Sequence, residues 1–411
     1  MPRPGQVKSS GGRLSDRIAL GVLTRVFPPE LVDEVVAECG RTELRSRLLP
    51  ARVVVYFVLA MCLFSGQGYE EVARLLTQGL ERVRRWDKPW RVPTTAAIGR
   101  ARRRLGPEPL RVLFDRVCLP VATSGTAGAW YRRWRLVAVD GTVFDVPDTE
   151  ANSVFFGRPG SGRGQQRSAY PQVRVAALVE CGTHAVFAAA TGPLSVHEQQ
   201  LVPALLGRLE PGVLLMADRG ITGFDLWQAA SGTGADLLWR VRKNIVLPAV
   251  ETFADGSYLS EIVAAGDRYR RRAPVPVRVV EYTLGSRDDE TVYRLITTIV
   301  DPDQAPAAEL AALYHQRWEI ENTLDEIKTH QGGHRLVLRS QHPDGVEQEI
   351  YGLLLVHHAL RDVMHHAAGQ AGLDPDRISF TRTLRIARRH VTAQAALSPL
   401  ATPPGPDPHH Q

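Results

Sequence analysis

The chain has 411 residues, of which 44% are hydrophobic and 23% are charged. This composition is typical of a globular protein with a large core, and it excludes a largely disordered or collagen-like chain. Lys and Arg outnumber Asp and Glu by only 50 to 44, so the net charge is compatible with a polyanionic partner without requiring one.

The cysteines and the hydropathy pattern indicate the cellular compartment in which the protein works. The four cysteines are scattered and form no Cys-x-x-Cys pair, which argues against a zinc site or a disulfide framework. The longest apolar run, residues 53–64, is about half the roughly 20 residues that a membrane-spanning helix needs. The amino terminus lacks an apolar signal segment. We therefore expect a bacterial cytoplasmic protein without a membrane partner.

Residues 14–121 are predicted to form a helical amino-terminal domain, because apolar residues recur at spacings of three and four. The predicted helices cover residues 20–27, 31–39, 51–64 and 69–76. The outermost segments, residues 1–13 and 395–411, have the composition of disordered ends.

A helix–turn–helix is one interpretation of the segment from Tyr69 to Leu105. Its second helix would begin after a capping Thr94 and would expose basic side chains, with Arg100 and Arg103 as the DNA-binding candidates. The other interpretation is a solvated basic face on a helix that packs in the domain, and the sequence leaves both open.

The texture changes to strands near residue 131. The predicted order is strand 135–140, strand 172–180, strand 184–191, helix 197–208, strand 213–218 and helix 223–230. This order is typical of an α/β fold of the ribonuclease-H type, in which the first and fourth strands lie side by side. We assign residues 131–236 and 301–340 to this core, residues 237–300 to a β-rich insertion, and residues 341–394 to a carboxy-terminal helical region.

Two aspartates, Asp140 and Asp218, each end a predicted strand. The carboxyl ends of strands in an open α/β sheet form the edge where ligands bind, so these side chains are candidates for a common site. Aspartate followed by glycine or by Arg-Gly is also common in turns, and this is the alternative for each residue taken alone.

A third carboxylate lies on a helix predicted from residue 306 to 330. Tyr314, Arg317, Glu321 and Lys328 are spaced by 3, 4 and 7 positions, which places all four near one face of a helix. A surface helix with internal ion pairs would show the same spacing.

The motifs Val-Asp140-Gly-Thr and Ala-Asp218-Arg-Gly, followed by Tyr-x2-Arg-x3-Glu-x6-Lys, resemble those of the insertion-sequence-4 family of bacterial DDE transposases. The resemblance covers residues 24–389. It implies metal-dependent cleavage of double-stranded DNA at the terminal inverted repeats of a transposon, and strand transfer into target DNA by a cut-and-paste route. Because two transposon ends must be paired before they are joined, we expect a homodimer on DNA, which would associate with the nucleoid.

The resemblance implies roles for the residues of both motifs. Asp140, Asp218 and Glu321 would be the catalytic carboxylates and would hold two Mg²⁺ ions, or Mn²⁺, about 4 Å apart, an arrangement that stabilises the entering and the leaving oxygen of a phosphodiester. Arg317 and Lys328 would hold phosphates near the cut, and Tyr314 would do so through its hydroxyl.

Several further residues are weaker candidates for DNA contacts. Arg219 either contacts DNA or pairs with a nearby carboxylate, while Arg270 and Arg271 belong to a basic loop that either follows a DNA backbone or is merely solvated. Glu198 is explained by its place at a helix start, where the helix dipole favours an acid. Two other functions remain open for the whole chain: a ribonuclease-H-like nuclease, and a transposon-derived DNA-binding protein that has lost catalysis.

Overall fold

The computed structural model describes residues 22–43, 49–77, 92–159, 170–267, 269, 271–284, 291–333 and 336–394. The two segments predicted as disordered ends, residues 1–13 and 395–411, lie outside these ranges. In the described ranges, no helix has both the length and the apolar character required to cross a membrane.

The amino-terminal region is helical, as its periodicity predicts. Its helices are α1 (Val22–Val26), α2 (Pro29–Glu38), α3 (Ala51–Leu63), α4 (Tyr69–Thr77), α5 (Thr95–Leu105) and α6 (Glu108–Val117). The predicted cap of α5 is present, because the Thr94 hydroxyl accepts a hydrogen bond of 3.3 Å from the backbone N–H of Ala97.

Helix α3 is apolar on every side and almost fully buried. It lies between the other amino-terminal helices and the long helix α12 (Pro343–Ala371). The core therefore continues from the amino-terminal helices to α12 and α13 (Phe380–Gln394). The division of the chain into the predicted domains stays a prediction.

One mixed sheet forms the centre of the molecule. Its strands are β1 (Trp130–Tyr131), β2 (Trp134–Asp145), β3 (Gln172–Glu180), β4 (Ala185–Pro193), β5 (Val213–Ala217), β6 (Asp236–Arg240), β7 (Glu251–Thr252), β8 (Tyr258–Ile262), β9 (Val275–Leu284) and β10 (Thr291–Thr297). The spatial order is β4-β3-β2-β5-β6-β10-β9-β8-β7, and β1 pairs with β2.

The first half of this order confirms the predicted ribonuclease-H-like fold. Strands β2, β3 and β4 form an antiparallel meander, and β5 lies beside β2 in parallel, as predicted. Strand β6 pairs in parallel with β5, so it completes the core sheet, although the sequence interpretation began the insertion at residue 237. The strands β7 to β10 extend the same sheet beyond β6.

Short helices surround the sheet: α7 (Glu150–Phe156), α8 (Glu198–Leu201), α9 (Phe224–Ser231), α10 (Ala307–Tyr314) and α11 (Trp318–Asp325). The single helix predicted from residue 306 to 330 is not regular. A 3₁₀ turn at His315–Arg317 separates α10 from α11, and a π-helical turn follows at Glu326–Gln331. The helix predicted at 197–208 is also interrupted, because Pro203 lacks the N–H that a regular helix needs and the 3₁₀ segment Val202–Arg208 replaces it.

Candidate active site

Asp140 and Asp218 lie on adjacent parallel strands at the same edge of the sheet. The residues before them, Val139 and Ala217, are paired across β2 and β5, and neighbouring strands are separated by roughly 4.8 Å. Oδ1 of Asp140 accepts a hydrogen bond of 2.8 Å from the N–H of Gly141, and Oδ1 of Asp218 accepts one of 2.7 Å from the N–H of Gly220. The bond of Asp218 is that of a turn residue directly after β5. Asp140 instead lies within β2, which continues to Asp145 and pairs Asp140 with Ala177 of β3, so the predicted strand end at Asp140 is wrong.

Arg317 connects Asp140 with the third predicted carboxylate, Glu321. Its Nη1 lies 3.5 Å from Oδ2 of Asp140, and its Nη2 donates to Oε1 of Glu321 at 3.2 Å. The guanidinium is buried, with 7% of the residue exposed, and it also experiences the charge of Asp218. The structure therefore gathers the three predicted acids around one buried cation.

The other two residues of the helical motif also face the strand ends. The hydroxyl of Tyr314, which is 5% exposed, donates a hydrogen bond of 3.2 Å to the carbonyl oxygen of Ala217. Nζ of Lys328 lies 3.1 Å from Oγ1 of Thr142, on the same strand as Asp140 and two residues beyond it. Lys328 belongs to the π-helical turn, a feature that is frequent at functional sites.

Glu198 reaches the same site, which the sequence did not predict. Its side chain lies against Asp140 and Gly141, whereas the sequence interpretation explained it by the helix dipole alone. Burial raises the pKa of Glu198 to about 7, with further contributions from the charges of Asp140 and Asp218. Burial also raises the pKa of Asp140, against the effects of the Gly141 hydrogen bond, Glu198 and Arg317.

The donor set of this site fits a hard divalent cation. Carboxylate oxygens are the ligands that Mg²⁺ and Mn²⁺ prefer, and four such groups converge here. Oε1 of Glu198 is buried and has no hydrogen-bond donor among the described residues, which is costly for a carboxylate unless a cation or a proton compensates it. The residues that can hold the ions are thus Asp140, Asp218 and Glu321, with Glu198 beside them.

The predicted DNA-binding arginines of α5 are exposed, in contrast to their neighbour Arg102. Arg100 and Arg103 point away from the core. Arg102 is buried and donates hydrogen bonds to the hydroxyls of Tyr69 and Ser340 at 2.5 Å and 2.8 Å. The basic face of α5 therefore has two parts, one that packs and one that is free to meet a ligand.

A pocket of about 450 Å³ lies beside this exposed face, between α5 and the start of α12. Arg100, Arg102, Arg103 and Arg339 all line it. Four guanidinium groups around one concavity, two of them on the exposed face of α5, form a surface that attracts polyanions.

The remaining predicted DNA contacts are dispersed. Arg219 is exposed next to Asp218 at the sheet edge. Arg271 is exposed, and its backbone N–H donates to Oδ1 of Asp267 at 3.0 Å. Arg270 lies outside the described residues.

A second group of possible ligands, His184, Glu319 and Asp376, lies at the β3–β4 turn and does not include the predicted acids. Their nearest ligand atoms lie within 4.8 Å of one another. Nη2 of Arg361 is 2.6 Å from Nδ1 of His184, and because a guanidinium can only donate, the ring proton of a neutral His184 lies on Nε2. Nε2 faces Oδ1 of Asp376 at 3.3 Å, so its proton occupies the ring nitrogen that a metal would need, and we interpret this group as a polar cluster and not as a metal site.

Sequence reasoning missed the position of Glu198 because Gly141, against which its side chain lies, is 57 positions earlier in the chain. The one local signal was Gly141, which follows the aspartate of a predicted strand end. This signal does not say which side chain occupies the space that the glycine leaves.

Comparison with known proteins gives matches along most of the chain. A family model described as "Insertion element 4 transposase N-terminal" matches residues 17–115, and one described as "Transposase DDE domain" matches residues 133–358. The transposase InsG of insertion sequence element IS4 from Escherichia coli K12 is 28% identical over 382 residues, which cover 90% of this chain and 83% of that protein.

Two further similarities are weaker. The putative transposase InsZ of Escherichia coli K12 is 23% identical over 227 residues, covering 55% of this chain and 73% of that protein. A cryo-EM structure of the piggyBac transposase synaptic complex with hairpin DNA covers 94% of this chain and 82% of its own, at 13% identity and a TM-score of 0.49.

Proposed function

Because the chain belongs to the insertion-sequence-4 family of DDE transposases, we propose that Asp140, Asp218 and Glu321 are the carboxylates at which it cleaves and joins DNA. The family resemblance drawn from the sequence motifs is confirmed, and with it the assignment to an enzyme of DNA transposition that depends on a divalent metal. The identity of the catalytic residues is our proposal.

The observation that carries this proposal is that Asp140 and Asp218 each follow one member of the residue pair Val139 and Ala217, which joins the adjacent parallel strands β2 and β5. The two carboxylates are therefore neighbours, and each influences the other through its charge. Glu321 faces them from α11 through its ion pair with Arg317. In an ordinary surface helix the charged side chains pair with one another, whereas Arg317 pairs both with Glu321 of its own helix and with Asp140 of β2.

We propose Mg²⁺ as the natural metal, with Mn²⁺ as a substitute. When bound, such ions lower the pKa of a water molecule and stabilise charge on the entering and leaving oxygens of a phosphodiester. Asp140, Asp218 and Glu321 hold and orient the ions from β2, from the end of β5 and from α11.

Arg317 and Lys328 are proposed to hold the DNA phosphates beside the cut. Nε of Arg317 makes no hydrogen bond among the described residues, and Nη1 faces Asp140 at 3.5 Å without forming one, so this buried planar fork retains donors that a phosphate entering the site can use. Nζ of Lys328 is hydrogen-bonded to the neutral hydroxyl of Thr142 and lies over the ring of Phe144, and within the described ranges no carboxylate is paired with it. Its ammonium is therefore available as a point charge for a phosphate.

Tyr314 is proposed to act differently from the role that the resemblance implied. Its hydroxyl is bonded to the carbonyl of Ala217, the residue that precedes Asp218. We therefore propose that it positions the Asp218 strand end and does not contact phosphate.

The DNA substrate is proposed to be the terminal inverted repeats of the element and its target DNA. The exposed Arg100 and Arg103, together with Arg219 and Arg271, are the proposed contacts outside the cut. Cut-and-paste transposition joins two ends to one target, so we propose a homodimer on DNA.

The test is a cleavage and strand-transfer assay on DNA that carries the inverted repeats flanking the gene, with Mg²⁺ or with EDTA. Asp140→Asn, Asp218→Asn and Glu321→Gln are each expected to lower cleavage by about a hundredfold or more, since groups that act as a unit fail together. The control is Asp303→Asn, which removes an exposed carboxylate outside the site. Full activity of any of the three variants would contradict the assignment.

The same assay separates the two other functions. Nicking without joining by the unaltered protein would identify a nuclease. Sequence-specific binding without nicking, in either metal, would identify an inactive descendant.

A further inference from the structure

The position of Glu198 beside the site is not explained by the three predicted carboxylates. Helix α8 begins at Glu198 and has four residues. Its start is fixed by a reciprocal pair, in which Oε1 of Gln200 accepts a hydrogen bond of 2.7 Å from the N–H of His197. The helix packs on β3 and β4, and the Glu198 side chain lies against Gly141 of the neighbouring strand β2.

Gly141 provides the space that the Glu198 side chain occupies. A Cβ atom at position 141 would lie 2.6 Å from Cδ of Glu198 and 2.7 Å from both Cγ and Oε1. Gly141 does not have a positive φ, so its backbone would accept any residue. The glycine is therefore required by the proximity of Glu198 and not by the conformation of the chain.

The carboxyl group of Glu198 is then placed against an acid, not against a cation. It lies beside Asp140, and its Oε1 is buried with no donor among the described residues. Arg317 faces Asp140 through Oδ2 and bonds Glu321, while Arg174 of β3 influences Glu198 only through its charge. Two adjacent, partly buried carboxylates are stable when they share a proton, as in the hydrogen bond between Glu198 and Asp140, or a cation, because each otherwise repels the other and both lose water.

We infer that Glu198 supplies a fourth carboxylate to the divalent cations held by Asp140, Asp218 and Glu321, and that Gly141 admits it. This inference rests on the proposed function of that site. Oxygen donors on β2 and on α8 would then face the same ion from two elements and supply part of its shell of six oxygen ligands, with water completing the rest. The fourth donor also explains why a short helix start is held firmly beside the catalytic edge.

The decisive measurement is Mn²⁺ binding to the full-length protein without DNA, by calorimetry and by the electron paramagnetic resonance of free Mn²⁺. Glu198→Gln keeps the shape of the side chain and removes its charge. It is expected to weaken Mn²⁺ binding by about tenfold or more, the scale on which changes around a metal ligand act. Glu210→Gln, an exposed carboxylate ahead of β5, is the matched control and is expected to bind Mn²⁺ as the unaltered protein does.

A second variant tests the role of the glycine with Glu198 left intact. Gly141→Ala is expected to displace the Glu198 carboxyl and to weaken Mn²⁺ binding to a similar extent. If Gly141→Ala does not fold, it is combined with Glu198→Ala, which removes the side chain that the new Cβ would meet. Recovery of folding in the double variant is expected, and its absence would contradict the role given to Gly141.

Thermal unfolding distinguishes a ligand from a merely structural residue. As a ligand, Glu198→Gln is expected to leave the metal-free protein as stable as before, or more stable, because a repulsion is removed. The rise in melting temperature on adding Mn²⁺ is expected to shrink. A metal-free protein that is destabilised by Glu198→Gln, with an unchanged response to Mn²⁺, would overturn the inference.

Asp140→Asn shows whether a negative result contradicts only the inference about Glu198 or also the proposed function. Loss of Mn²⁺ binding in Asp140→Asn, together with normal binding in Glu198→Gln, would overturn only the fourth ligand. Normal binding and cleavage in Asp140→Asn would overturn both.

Discussion

Arg317 and Glu321 form an ion pair across the junction between the 3₁₀ turn and α11, with Nη2 3.2 Å from Oε1. The same guanidinium lies 3.5 Å from Asp140, so its positive charge neutralises part of the negative charge that would otherwise attract a divalent ion. A unit charge at about 4 Å interacts by about 1 kcal/mol in water and about 4 kcal/mol near a protein surface. Arg317 therefore competes with metal binding while it supports DNA binding.

Arg317→Gln is expected to separate these two effects. Binding of Mn²⁺ without DNA should tighten several-fold, because a positive charge leaves the carboxylates. Cleavage should fall by at least about tenfold, because the phosphate loses a bidentate partner. Calorimetry gives the first quantity and the cleavage assay gives the second.

The control for this variant is Arg116→Gln on α6, whose guanidinium is paired with Glu34 and Glu38 away from the site. It should change neither quantity. Weaker Mn²⁺ binding in Arg317→Gln would mean that the arginine organises the carboxylates and does not compete with the metal.

Tyr314→Phe tests whether the tyrosine positions the strand end or contacts DNA. The variant loses the hydrogen bond to the Ala217 carbonyl, which should lower the free energy of unfolding by about 1 kcal/mol. Cleavage of bound DNA should slow, with little change in DNA affinity, because the displaced group is next to Asp218. Single-turnover cleavage and fluorescence anisotropy measure the two quantities.

Tyr131→Phe is the matched control, since its hydroxyl bonds Glu309 at the surface. A Tyr314→Phe protein with weakened DNA binding and an unchanged cleavage step would support the phosphate contact that the family resemblance implied.

The order of the core strands was predictable because each strand carries its own local pattern. Apolar runs ending in Asp140 and Asp218, with a meander between them, are sufficient to indicate the topology. The assignment of β6 was not predictable, because a strand of the same composition can extend a core or belong to an insertion. Only its parallel pairing with β5 decides between them.

For the site, the sequence predicted which residues of the helical motif share a face but not the contacts that they make. The spacing of Tyr314, Arg317, Glu321 and Lys328 predicts a common face, and all four do face the strand ends. Their contacts depend on the 3₁₀ and π-helical turns that flank α11, which no spacing rule describes. Glu198 does begin a helix, as predicted, but the sequence interpretation missed its contact with Asp140, because that contact is a long-range property.

Two glycines of α12 predict opposite effects of one substitution. Gly352→Ala places a Cβ 2.8 Å from Cys62 Sγ and 2.9 Å from Val58 Cγ1, so it should destabilise the protein by about 1–3 kcal/mol. Gly369→Ala meets no atom within 4 Å and should stabilise it by roughly 0.5–1 kcal/mol, since alanine favours a helix interior. Urea unfolding of both variants gives the comparison. Equal effects would show that α3 and α12 are not in close contact.

The arginines of α5 predict a difference in the salt dependence of DNA binding. Arg100→Gln with Arg103→Gln removes two exposed cations, so the slope of log K against log salt should fall by about 2 in magnitude. Arg102→Gln removes a buried cation of the same helix that bonds Tyr69 and Ser340, and it should lower stability while leaving the slope unchanged. A slope that is unchanged by Arg100→Gln with Arg103→Gln but reduced by Arg102→Gln would contradict the assignment of phosphate contacts to the exposed face of α5.

A buried histidine of α12 predicts a loss of stability in mild acid. Burial lowers the pKa of His358 to about 4, although Nδ1 donates to the carbonyl of Val186 at 3.2 Å. Because the folded pKa lies below the unfolded value of about 6.5, the unfolded chain binds the proton first, and stability falls as pH drops from about 6.5 to about 4. Between pH 7 and pH 4.5 this group should account for roughly 2 kcal/mol.

His358→Asn retains a donor toward Val186 and cannot titrate, so the variant should lose about that much less stability than the unaltered protein over the same pH interval. His366→Asn, at an exposed position of the same helix, should leave the pH dependence unchanged. Urea unfolding at pH 7 and at pH 4.5 measures both. An unchanged pH dependence in His358→Asn would show that the acid sensitivity originates elsewhere, with the neighbouring His357, whose pKa burial also lowers, as the next group to test.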